Sequence, residues 1–110
     1  MASNTLDCDL VHLHRFPAQK RQKILRAIME RPSASEQICD GAHCYENTVT
    51  RLHAQGYQLI DLNPQETMLT AVWYRKTTSW FGLRSEESAI MLVWESGDGC
   101  EKTTLCAWQL

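Results

Sequence analysis

Cysteine and histidine are the side chains here whose types and spacing could do chemistry. Cys39, His43 and Cys44 lie close together, and His53 follows one long helical step later. Thiolate and imidazole at short spacing are the donor set of a tetrahedral zinc site. The pattern argues against one. Cys39-x3-His43-Cys44 is not a standard ligand spacing, adjacent His-Cys ligands strain a single centre, and no CxxC pair is present. A second group, Cys8, His12 and His14, alternates along a strand-like stretch, where histidines are more often surface residues. A cysteine nucleophile beside a histidine base would be another use of these residues. No local signature supports it, and free cysteines commonly serve as small core hydrophobes. No carboxylate pair, glycine-rich phosphate loop or serine elbow appears. The expectation is therefore no metal, no cofactor and no enzymatic activity.

Charge is the second resource. The net charge of the 110 residues is −2, but the distribution is uneven. Arg15, Lys20, Arg21, Lys23, Arg26 and Arg31 face a single acid, Glu30, whereas from Glu86 onward five acids (Glu86, Glu87, Glu95, Asp98, Glu101) face only Lys102. One end can meet an anionic partner while the other repels it. Apolar residues at 44% and charged residues at 22% are globular values. No apolar run approaches the roughly 20 residues of a membrane span. MASNTLDCD has neither a basic nor an apolar leader region and is read as no signal peptide. Five cysteines cannot all pair within one chain, so the thiols are expected reduced, in a cytoplasm.

The elements that position these groups follow from periodicity. Phe16-Pro17 starts a helix over 18–31, with Ile24, Leu25, Ile28 and Met29 as its apolar stripe and the basic residues mostly toward solvent. Pro32 ends it. Ser33 with Glu36 fits a capping box and predicts a short helix over 34–40 that buries Ile38. A third helix spans Cys44 to Gln55, with Tyr45, Val49 and Leu52 inward and Gly56 as its cap. The period then changes to two. Tyr57–Leu62 and Thr67–Lys76 predict one hairpin, and Ser88–Trp94 with Thr103–Trp108 a second. Residues 6–14 predict a short strand. Trp73 and Trp94 are expected in the core, and Trp80-Phe81 in an exposed loop over 77–84.

Three helices with a tight turn between the last two, then a hairpin, is the winged-helix order. The segment ILRAIMERPSASEQICDGAHCYENTVTRLHAQGYQL resembles the small winged helix-turn-helix domains of phage, prophage and plasmid proteins. Val49, Arg51, Leu52, Gly56 and Tyr57 carry the likeness on the third helix and its exit. The elements predict an α+β fold in one domain over 1–110, and the resemblance covers residues 17–76 of it, not the C-terminal hairpin. Its core would be a three-helix winged helix-turn-helix at 17–76 with a β-hairpin wing, and a C-terminal hairpin at 85–110 would extend the sheet. The resemblance implies a regulator that binds double-stranded DNA through Asn47, Thr48 and Arg51 on the third helix, with Lys20, Arg21, Arg75 and Lys76 on phosphates. The third helix is poor in side chains that match base edges, and Glu46 would repel phosphate. A second reading therefore stands beside the first: a protein-binding module of the same shape, such as a phage-encoded inhibitor of a host protein. Trp80 and Phe81 would be its anchors. A homodimer through the C-terminal hairpin is a further expected partnership, and no membrane is expected.

Overall fold

Helix α1, Ala18–Glu30, forms where the sequence places it. Pro17 precedes it, and Arg31 is already extended (φ −115°, ψ 136°), as the following Pro32 requires. Ile24 and Ile28 are buried and Leu25 is half-buried, so the stripe faces a core. Met29, which the same spacing assigns to that stripe, is instead exposed. The structure, a computed structural model, describes residues 16–40, 43–79, 82, 84–97 and 100–110. The strand expected over 6–14 lies outside these residues.

The segment after α1 is not a helix. Ala34–Asp40 form a strand, β1. The capping-box pattern is real in sequence, but a helix of that length would bury little besides Ile38. As a strand the segment satisfies its backbone along β5, Cys100–Gln109, from Ala34 opposite Ala107 to Asp40 opposite Lys102. Ile38 still packs against the core, at a register shift between Gln37 and Cys39.

Helix α2, Cys44–Ala54, is the expected third helix. Val49 and Leu52 are buried and Tyr45 packs beside them. Its exit is a Schellman turn: the Tyr57 amide donates to the Leu52 carbonyl and the Gly56 amide to that of His53, each at 3.0 Å. Gly56 has φ +88°, which glycine adopts without Cβ strain.

Strands β2 (Gln58–Pro64), β3 (Met68–Thr78), β4 (Ser85–Gly97) and β5 then run as an antiparallel meander. Both expected hairpins are present, but β3 and β4 also pair along their whole length, from Met68 opposite Glu95 to Thr78 opposite Ser85. The sheet order is β1-β5-β4-β3-β2. β4 and β5 are thus interior strands rather than an addition to a wing.

Two apolar clusters divide the molecule. Phe16, Ile24 and Ile28 pack with Ile60, Val72, Tyr74, Ala89, Cys106 and Trp108. Val49, Leu52 and Tyr57 pack with Leu59, Ala71, Trp73, Ile90 and Leu92. Neighbours on a strand point to opposite faces, so α1 covers one face of the sheet and α2 the other. This three-layer arrangement overturns the three-helix winged-helix core: among the described residues there are two helices, and a five-stranded sheet separates them. The run Ala71-Val72-Trp73-Tyr74 gives the physical reason. All four are buried, which a wing strand with one open face cannot provide.

Candidate functional site

The side chains expected to bind DNA are divided by this architecture. Lys20 and Arg21 are on α1, on one side of the sheet, and Asn47, Thr48 and Arg51 are on α2, on the other. Asn47 and Arg51 are exposed. Thr48 is buried and donates its hydroxyl to the Cys44 carbonyl at 2.9 Å. Its position one helical turn from both Cys44 and Leu52 already places it on the inward stripe. Lys76 is exposed on β3 and acts on Glu87 across the α1 face. Trp80 and Phe81 lie outside the described residues.

Lys20 is not free. Its Nζ lies 3.3 Å from Glu87 Oε1 and 4.9 Å from the centre of the Tyr74 ring, and the Tyr74 hydroxyl donates to the same carboxylate. The Tyr74 hydrogen bond, followed by Lys20 and Lys76, holds the Glu87 carboxyl below its usual range against the opposing effect of burial. Burial raises the Tyr74 hydroxyl, and the Tyr74 contact raises Lys20. These directions keep two opposite charges and a neutral phenol in mutual contact near neutral pH.

Among the described residues, the rest of α1's outer surface has no such ion-pair partners. Lys23, Arg26 and Arg31 are exposed and form no ion pair among the described residues. Gln22, Leu25, Arg26, Met29 and Glu30 line an open depression there, and Met29 is 85% exposed.

On the opposite face, beyond the end of α2, Arg75 leans over the Tyr57 ring with its guanidinium carbon 4.6 Å from the ring centre. Its Nη1 donates to the Gln55 carbonyl at 3.2 Å. The Tyr57 hydroxyl is 3.1 Å from Ser88 Oγ. With Thr77, Glu86 and Gln109 these residues line a cleft of about 260 Å³. The winged-helix resemblance implies phosphate for Arg75; Glu86, Ser88 and Gln109 join it only through strand register, which no local pattern encodes, and Tyr57 through the turn after α2.

No family model matches the chain, and neither a curated protein nor a solved structure does. The side chains are what remains to indicate function.

Cys44 is disulfide-bonded, which corrects the expectation of uniformly reduced thiols; Cys100 and Cys106 are free. Among the described residues no three metal-type side chains converge, and no helix is long and apolar enough to cross a membrane.

Proposed function

We propose that the chain is a binding module rather than an enzyme, and that it docks an acidic protein surface on the outer face of α1. The carrying observation is Met29, 85% exposed beside Arg26, which forms no ion pair with the described residues, in an open depression that Glu30 also lines. Burying such a side chain in an interface contributes about 1.5–3 kcal/mol. Carboxylates on the partner would pair with Arg26 beside it, and the exposed Lys23 and Arg31, elsewhere on the helix and at its end, would speed the encounter. A phosphate backbone would meet the cations but leave the methionine without an apolar partner. The two expected halves of a DNA site also sit on opposite sides of a layer, with each packing step adding about 10 Å. The Lys20–Tyr74–Glu87 cluster is in keeping with the non-enzymatic part, since its three side chains engage one another between α1 and the sheet.

Panning a random peptide display library against the protein tests this reading. Selected peptides should carry Asp or Glu around an apolar residue. Arg26→Glu and Met29→Ala should each weaken them about tenfold or more, the scale of one lost interface anchor, at an unchanged thermal midpoint. Peptides without acidic enrichment, or indifferent to Arg26→Glu, would sink the proposal. A shift of random duplex DNA at physiological salt, abolished by Arg26→Glu, would assign the face to nucleic acid instead.

A further inference from the structure

The Arg75 cleft is a separate feature from the α1 face, on the other side of the sheet. Its floor is built by register. Arg75 pairs across strands with Ser88, which pairs with Gln109, and the next row is Thr77 opposite Glu86. These residues share the face of Trp73, since they follow it at even spacing. Tyr57, leaving the turn after α2, forms the wall.

The guanidinium is fixed before any ligand arrives. Its carbon lies 4.6 Å from the centre of the Tyr57 ring and the Gln55 carbonyl takes Nη1. That contact leaves the other edge, Nε–H with Nη2, whose parallel donors match the two oxygens of a carboxylate. Nε is buried and has no hydrogen-bond partner among the described residues. A buried donor left unpaired is costly, so an acceptor that reaches it, by a small shift of the Arg75 side chain, removes a penalty as well as adding a bond.

Glu86 supplies the opposite charge. It is diagonal to Arg75 across the β3–β4 pair, a separation of about 7–8 Å in such sheets. The two form no ion pair. A cation fork and a carboxylate are thus held apart over hydroxyls and an amide. The volume of about 260 Å³ is that of roughly nine waters at about 30 Å³ each, room for a molecule of amino-acid size.

We propose that this cleft binds a free α-amino acid, its carboxylate on the Nε edge of Arg75 and its ammonium toward Glu86. The Nε–H signal of Arg75 in a proton–nitrogen correlation spectrum reads the contact directly. Glycine, alanine, serine and glutamine are the probes, with acetate and methylamine as the two halves. At least one amino acid should shift that signal saturably, with a midpoint near or below about 1 mM. Acetate and methylamine should each need about tenfold more, one lost charged contact. Arg75→Lys, which keeps the charge and loses the fork, should weaken the best amino acid about tenfold, read on the backbone amide signal of Ser88 because the Nε–H is gone. Glu86→Gln, at an exposed position, should weaken it too while leaving acetate unchanged, and it covers the case in which Arg75→Lys fails to fold. No saturable shift with any of the four, acetate binding as well as the amino acids, or amino-acid binding untouched by Glu86→Gln would each overturn the proposal.

Discussion

The Tyr74 hydroxyl and the Lys20 ammonium meet on one carboxylate, Glu87, and so tie α1 to the middle of the sheet. The Glu87 carboxyl is held low, chiefly by the Tyr74 hydrogen bond. Its contribution is complete above the ordinary carboxyl value of 4.5 and disappears as pH falls through the lower folded value. Lys20 and Tyr74 are both raised, so theirs is complete below 10.0 and is lost as pH climbs through the higher folded values. The Lys20 and Glu87 side chains are 40% and 39% exposed, so solvent screens the pair. Tyr74→Phe removes the hydroxyl and keeps the ring on Phe16. It should cost about 1 kcal/mol at neutral pH. The gap from the parent should narrow in acid, where Glu87 is neutral, and again in strong alkali. Urea midpoints over a pH series measure this; a gap independent of pH would mean that the hydroxyl is not coupled to the charges.

At the scale of elements, Gly56 decides where α2 stops and β2 begins. An added Cβ would meet Arg75 Cδ at 3.9 Å, an ordinary contact, so Gly56→Ala strains only the backbone at φ +88°. The expected loss is about 1–2 kcal/mol, read by denaturant unfolding. A loss below about half a kcal/mol, the level of a neutral surface change, would show that the chain does not turn this way. Such local signals are why both helices are legible in the sequence: apolar periodicity, Pro32 and Gly56 act within a few residues of where they stand. β1 is not legible, because Ser33 and Glu36 speak for a helix locally while the strand's partner, from Lys102 to Ala107, comes at the far end of the chain. The Arg75 cleft is hidden for the same reason. Ser88 and Gln109 come to Arg75 through two successive cross-strand pairings. The inward Thr48, by contrast, is legible from the Cys44–Leu52 stripe; only the likeness of this helix to a groove-binding one turns Thr48 outward.

For the whole molecule, the position of β5 makes the C-terminus indispensable. It lies between β1 and β4 in the sheet. It gives Cys106 and Trp108 to the α1 core and Leu105 to the margin of the other. Trp108 Nε1 also donates to the Arg31 carbonyl at 3.1 Å, pinning the end of α1. A winged-helix core ending near residue 76 would keep its fold without this hairpin. The three-layer structure would not: without β5, β1 has no described partner strand, the edge of β4 opens, and Ala89 and Leu92, now fully buried, lose a neighbouring strand. Native domains are stable by only about 5–15 kcal/mol, and burying a single large side chain such as Trp108 accounts for about 1.5–3 kcal/mol of such a total. A chain cut after Gly97 should therefore fail to unfold cooperatively, although it keeps both helices and every residue of the 17–76 segment. Circular dichroism melts of the 1–97 and full-length chains make the comparison. A sharp transition for 1–97, with dispersed amide signals, would mean that β5 is an appendage and does not hold β1 to β4.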